Sequence, residues 1–540
     1  MGPLTRIVGR FLRLPMPVTR RVDVVRAISV PMSDGVILRA DHYVPNVPNA
    51  PTILIRTPYG RTGIPGLLAR AVASCGFHVL LQSCRGTFDS GGTFQPMRNE
   101  RSDGVDTVKW LAQRSWYNGE LFTYGPSYVG FTQWALAAEA GEHLKAMATI
   151  VTASQFRDAT YPGGSFSFDT ILTWSALISA QNGPRIPNLI ELARGQPKLH
   201  KGFEHLPIGE ADLVATGAEV DFYREWLAHA EPGDAYWSDR GHGPSVADVT
   251  VPVLMVGGWQ DIFLPWQLED YATLRAAGAR PYLTIGPWTH GSIDLFRASA
   301  SEAVDWFRAH SSAGGPGLLR ANPVRIFVDG AQQWRELPDW PPPASTQEWH
   351  LQPDQALATD VPPPDAAPDP FVYDPNDPTP AVGGPRLVGT IAGQRDNREL
   401  EARSDVLVYS SGPLSAPVEV IGPVSATVHM RSDGGYFDVF VRLCDVSPAG
   451  PSLNICDGLV RVTPERFPAD AHGVRRIEVP MWPTAHRFLA GHRIRVQVSG
   501  GAFPRFARNP GTGAPLGQET ELRPVGHEVL HSSAIRLPVQ

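Results

Sequence analysis

The chain has 540 residues, 42% of them hydrophobic and 19% charged, which excludes a disordered polymer and leaves room for two or three domains. A formal net charge of −7, with no basic stripe, excludes an ordinary nucleic-acid binder. Cys75, Cys84, Cys444 and Cys456 form neither a CxxC pair nor a Cys/His cluster, so neither a metal site nor a disulfide scaffold is expected.

The chain opens MGPLTRIVGRFLRLPMPVTRRVDVV. Arg6, Arg10 and Arg13 interrupt any apolar run, so we expect no signal peptide, no membrane span and a cytoplasmic protein. Leu4, Ile7, Val8, Phe11 and Leu12 recur at helical spacing. Such a helix suits a membrane surface or, more simply, a seat on its own protein.

DVVRAISVPMSDGVILRADHYVP alternates apolar and polar residues around SDG and predicts a β-hairpin. PTILIRTPYG is a short strand ending in a turn that carries Tyr59. LARAVASCGFHVLLQSCRG predicts a helix, a break at Gly76 and a buried strand. ERSDGVDTVKWLAQRSW places Val105, Val108, Trp110 and Leu111 at helical spacing. In LFTYGPSYVGFTQWALAAEA a strand runs through Ser127 into a helix. Strands alternating with helices imply a mainly parallel sheet covered on both faces.

Near residue 151 the rhythm stops, and residues 151–249 read as an inserted helical cap. It resumes with TVPVLMVGGWQD, LEDYATLRAAG and RPYLTIGPWTH. Short alternating strands recur from about 400 onward and predict a β-sandwich. The expected order is an α/β domain in two parts, 1–150 and 250–320, the cap between them, and a C-terminal β domain over 321–540 with Pro-rich connecting loops at 338–386. Cys444 and Cys456 fall on neighbouring predicted strands, and we read them as buried thiols rather than a disulfide.

An alcohol needs a base, an acid to orient that base, and donors for the oxyanion before it attacks a carbonyl. In the α/β-hydrolase plan these follow in the order Ser, Asp or Glu, His. Ser127 sits at a strand-to-helix junction, Asp261 directly after VPVLMVGG, and His290 directly after PYLTIGPW. Each residue alone could be a turn, cap or packing residue; three in the required order make a candidate triad. The Tyr128 backbone N–H is the expected oxyanion donor after the nucleophile. The Tyr59 phenol is a second candidate, with a packing aromatic as the alternative.

The elbow itself is unusual. The common pattern is Gly-x-Ser-x-Gly, whereas here Gly125 and Gly130 flank Ser127 with the second glycine one place late. Gly-x-Ser-Tyr-x-Gly resembles the elbow of the CocE/NonD family of serine hydrolases. That family spans esterases, X-Pro dipeptidyl-peptidases, α-amino acid ester hydrolases and glutaryl acylases. RTPYG resembles its oxyanion-tyrosine segment, GGWQD its catalytic Asp segment and GPWTH its catalytic His segment. NRELEARSDVLVYSSGPL, DGLVR and FLAGHRIRVQVSGGAFPRFARNPGTG resemble its C-terminal domain. The resemblance implies an α/β-hydrolase fold with an inserted helical cap and a C-terminal all-β jelly-roll sandwich. It implies acyl transfer through Ser127, a small-molecule ester or amide substrate, and no metal or organic cofactor.

Two departures bear on substrate. Relatives often carry Asp-x-Arg-Gly where this chain has SCRG, so Gln82 or Ser83 stands in for a structural carboxylate. The α-amino acid ester hydrolases carry extra carboxylates after the catalytic Asp to hold a substrate ammonium, whereas DIFLPW is uncharged beyond Asp261. Asp158 or Asp169 of the cap could substitute. Phe166, Phe168 and Trp174, with Tyr161, and Trp259, Phe263 and Trp266 around Asp261 are candidates for an aromatic pocket, with core packing the alternative. Three readings follow: an esterase, a peptidase releasing X-Pro dipeptides, and a non-catalytic glycan- or partner-binding protein. A homo-oligomer stays open.

Overall fold

In a computed structural model that describes residues 2–181, 197–312, 314 and 320–540, two large β assemblies share the chain. The first is a ten-stranded sheet. Its strands are β1 (Val22–Pro31), β2 (Ile37–Pro45), β3 (Thr52–Thr57), β4 (His78–Ser83), β5 (Leu121–Pro126), β6 (Leu144–Ile150), β7 (Val253–Gln260), β8 (Tyr282–Thr289), β9 (Val324–Val328) and β10 (Gln333–Leu337). They lie in the order β1-β2-β4-β3-β5-β6-β7-β8-β9-β10. From β4 to β9 every neighbouring pair is parallel, and antiparallel partners close the two edges.

The central strands are apolar on both faces because helices cover both. Ile53, Val79, Leu81, Leu254 and Val256 pack in one core with Leu295, Val304 and Phe307 of helix Ile293–Ala309. Their immediate neighbours Leu54, Leu80, Val253 and Met255 pack in the other, with Val108 and Leu111 of helix Glu100–Ala112 and Phe131 of helix Tyr128–Ala137. Alternation along each strand thus divides the side chains between the two layers.

Among the described residues of 151–249 there are helices and turns and no strand; positions 182–196 of that span lie outside the described residues. Helix Phe168–Gln181 packs against Ala211–Thr216 and Asp221–Ala228. The second sheet has thirteen strands between Ser345 and Val539. Phe437–Val446 is buried along its whole length and pairs with Ser452–Val462 and Arg493–Ser499. All four cysteines are free and buried.

Two boundaries differ from the sequence reading. Val324–Leu337, expected at the start of the C-terminal domain, is the edge hairpin of the first sheet; alternation identifies a strand but not the sheet it joins. The passage 338–386 is not only connecting loop. It contains strands Ser345–Gln352, Ala356–Ala358 and Asp369–Tyr373, and Pro370 is tolerated because its strand lies at a sheet edge.

Candidate active site

β5, β7 and β8 lie close together in the sheet, and each hands the chain to a polar residue at its C-terminal end. Ser127 follows β5 with φ 56 and ψ −128, a conformation that costs a residue with a Cβ about 1–3 kcal/mol. Its neighbours hold it there. The Ser127 N–H donates to the Ile150 carbonyl at 2.9 Å. The Ser127 carbonyl accepts from the Gly130 and Phe131 N–H groups at 2.8 and 3.0 Å and from the Thr152 hydroxyl at 2.7 Å.

Both glycines are required by close approach. A Cβ on Gly125 would sit 2.1 Å from Val129 Cγ1, and one on Gly130 would sit 2.4 Å from Thr152 Cγ2. The late glycine therefore lets the first helical turn pass the end of β6. Pro126 ends β5, and its missing N–H disturbs nothing further along.

The Ser127 hydroxyl lies 3.1 Å from His290 Nε2, and His290 Nδ1 lies 2.7 Å from Asp261 Oδ2. Asp261 is fully buried and His290 is 8% exposed. The second oxygen, Asp261 Oδ1, accepts from the Phe263 N–H at 2.8 Å. The structure thus brings the three predicted residues into one hydrogen-bonded line. The C-terminal β domain grips this strand end. The Trp482 indole donates to the Asp261 carbonyl at 3.1 Å, and the Gln260 side-chain amide donates to the Ile455 carbonyl at 2.7 Å. Arg505 lies over the Trp482 ring at 5.0 Å.

Tyr59 stands in the loop after β3, its hydroxyl near the Ser127 side chain. The Trp174 indole of the cap donates to the Tyr59 oxygen at 3.0 Å, which leaves the phenolic proton for another acceptor. Burial pushes the Tyr59 phenol up to about 12, so it stays protonated. The Tyr128 N–H opens a helix, where the first N–H groups have no acceptor within the helix. The Tyr128 hydroxyl accepts from the Met97 N–H at 2.7 Å and donates to Glu100 at 2.9 Å. Glu100 pairs with the buried Arg56 at 2.8 Å. Arg56 in turn donates to Gln82 at 3.1 Å, and Arg61 donates to the Ser83 hydroxyl. Gln82 and Ser83, the two candidates to stand in for a carboxylate, thus each accept from a buried arginine.

A cavity opens at Ser127, lined by Phe156, Ile171, Trp174, Trp226, Ile262 and Phe263, with Leu387 arriving from the β domain. Among the described residues no charged side chain lines it. Of the predicted pocket residues, Trp174 and Phe263 line this cavity. The other five pack elsewhere, Tyr161 with its hydroxyl donating to the Trp226 carbonyl. Phe166 is buried against Tyr161 and Tyr223, and Phe168 against Phe203 and Phe503. The Trp259 indole donates to the Phe327 carbonyl at 2.7 Å, and Trp266 stands edge-on to Trp482. Aromatic residues on adjacent turns and strand positions point different ways, and composition does not say which face meets the cavity. Asp158 pairs with Arg157 at 2.9 Å, and the buried Asp169 with Arg386 at 2.6 Å.

Sequence reasoning missed Phe156, Ile171, Trp226, Ile262 and Leu387 in the lining, and Gln260 and Trp482 in the support of Asp261. Ile262 was the accessible one, since it follows the candidate acid directly.

Comparison with known proteins extends over both sheets. Residues 34–292 match the family model of the X-Pro dipeptidyl-peptidase (S15 family). Residues 317–535 match that of the X-Pro dipeptidyl-peptidase C-terminal non-catalytic domain. The chain is 30% identical to cocaine esterase from Rhodococcus sp., over 96% of this chain and 98% of that one. An α-amino acid ester hydrolase structure superposes with a TM-score of 0.82 at 22% identity, covering 98% of each chain. An aminopeptidase from a marine sediment Thaumarchaeota archaeon superposes with a TM-score of 0.80 at 23% identity, also over 98% of each chain. At these identities the two structures establish the shared α/β-hydrolase fold with its C-terminal β domain.

Proposed function

The chain belongs to the CocE/NonD family of serine hydrolases, and from that premise we propose that it cleaves carboxylic esters through an acyl-enzyme on Ser127. The observation that carries this reading is the Ser127–His290–Asp261 hydrogen-bonded line, whose serine lines a cavity that is uncharged among the described residues. Ser127 Oγ attacks the ester carbonyl as its proton passes to His290 Nε2. Asp261 holds the other ring proton on Nδ1 and stabilises the imidazolium. The Tyr59 hydroxyl and the Tyr128 N–H donate to the oxyanion of the tetrahedral intermediate. His290 gives its proton to the departing alkoxide, then takes one from the water that attacks the acyl-enzyme carbonyl. The product acid leaves and Ser127 regains its proton.

The family models named for X-Pro dipeptidyl-peptidases favour a second reading, release of an N-terminal X-Pro dipeptide. That reaction presents a substrate ammonium. Here the described cavity lining carries no charge, and Asp158 and Asp169 are each held by an arginine. An ammonium would lose its water without gaining a carboxylate, which is costly. The four buried thiols suit a cytoplasmic setting.

Turnover of a short-chain 4-nitrophenyl ester and of an X-Pro 4-nitroanilide separates the two. We expect kcat/KM for the ester to exceed that for the anilide by about 100-fold or more, the effect of one unpaired ammonium of ~3 kcal/mol. A larger kcat/KM for the anilide would overturn the esterase reading and establish the peptidase.

A further inference from the structure

The first 22 residues hold five arginines and no Asp or Glu; since the whole chain stands at −7, the remaining 518 stand at −12. Within this segment Pro3–Phe11 forms a helix that seats its buried Thr5 on the protein and packs against helix Ile64–Ala73. Its far end is fixed by Arg297. That guanidinium donates to the Phe11 carbonyl at 3.1 Å and covers the Phe11 ring at 4.3 Å.

The helix is seated so that its apolar stripe faces away. Leu4, Ile7 and Phe11, at i, i+3 and i+7, are 64%, 62% and 45% exposed. Arg6 and Arg10 come next around the helix, and Arg13 follows just beyond it; all three are exposed. Two more exposed apolar side chains lie on the helices that hold it. Ile64, 65% exposed, begins the helix beneath, and Ile293, 55% exposed, lies one turn before Arg297. An apolar stripe exposed along one helix, with exposed isoleucines at the start of both helices that hold it, marks an interaction site rather than ordinary surface.

We infer that this face docks on an anionic lipid bilayer, with the helix lying in the plane of the interface. The apolar stripe enters the boundary between headgroups and acyl chains while the arginines meet the lipid phosphates. A second copy of the chain is the weaker occupant. A two-fold interface would set one arginine rim against another. The neighbouring carboxylates Asp23 and Asp294 are already paired, with Arg21 and Arg297. A nine-residue helix buries little area, so attachment needs both the apolar and the electrostatic contribution and is reversible. The patch also lies near the catalytic end of the sheet. Ile64 follows the loop that carries Tyr59, and Ile293 follows His290. Docking therefore brings the site toward molecules dissolved in the membrane.

Co-sedimentation of the full chain with unilamellar vesicles tests the inference. We expect partitioning onto phosphatidylcholine–phosphatidylglycerol vesicles that is about tenfold or more weaker on phosphatidylcholine alone, and similarly weakened by high salt. The double variant Ile7→Asp/Phe11→Asp loses about tenfold or more of this partitioning while its turnover of a soluble aryl ester is unchanged. Should that variant fold poorly, Arg10→Glu/Arg13→Glu removes the charge contribution and is expected to show the same loss on mixed vesicles. Absence of binding, or equal binding to both vesicle types, overturns the inference. A dimer in sedimentation velocity that Phe11→Asp splits, without vesicle binding by the parent, assigns the face to self-association instead.

Discussion

Ser127→Ala gives a folded protein whose ester turnover falls by about 10⁶-fold. Neither threonine hydroxyl of the described cavity lining can replace the lost one. Thr160 and Thr170 line the same cavity, but the Thr160 hydroxyl donates to the Phe156 carbonyl at 2.9 Å and the Thr170 hydroxyl to Asp169 at 3.1 Å. His290 is left with an acid partner and nothing to deprotonate except water. The fold survives because Ser127 is held by its backbone and not by its hydroxyl; all four hydrogen bonds that fix the elbow persist in alanine. Steady-state kinetics on an aryl ester, fluorophosphonate labelling and a thermal melt measure the three parts of the expectation. An unchanged melt with turnover near that of the parent would show that acyl transfer takes place elsewhere.

Tyr59→Phe lowers kcat by about 10²–10³-fold, or ~3 kcal/mol, with little change in KM. In the proposed reaction the phenol is required when the carbonyl oxygen becomes an oxyanion, so its contribution is confined to the transition state. Trp174 presets the group by occupying a lone pair of the phenol oxygen, and burial keeps the proton on it up to about pH 12. The loss is therefore expected to be the same at every pH from neutral to moderately alkaline, leaving the shape of the pH–rate profile unaltered. A defect confined to KM would assign Tyr59 to substrate binding in the ground state. An unaffected kcat would remove it from the oxyanion hole.

The positions of Ser127, Asp261 and His290 were readable because each follows a strand that is apolar on both faces, in a chain order that the parallel sheet converts into proximity. Local sequence suffices when a strand end fixes where a side chain goes. It did not suffice for the pocket. Phe166, Phe168 and Trp174 fall within nine residues of one another, yet only the last borders the cavity. Helix rotation against three different neighbours decides that, and these neighbours are distant in sequence. Leu387 lies one residue beyond the passage 338–386, whose prolines suggested a connection alone. The hairpin Val324–Leu337 shows the same limit for topology. Its alternation was plain, but it pairs with β8 and meets the β domain at its turn and by side chains, and that choice of edge is not encoded in the strand itself. The support of Asp261 by Trp482 joins residues 221 positions apart, and no local pattern announces it.

That contact makes the two β assemblies a single machine with a shared hinge point. The acid that steers His290 is anchored by an indole and an amide bridge whose other ends belong to the sandwich, so the hydrolase sheet can remain native while its reaction centre drifts out of line. Mild denaturant that loosens the seam between the assemblies would thus silence the enzyme before far-UV ellipticity declines, and coincident loss of both signals would show that the seam and the sheets yield together.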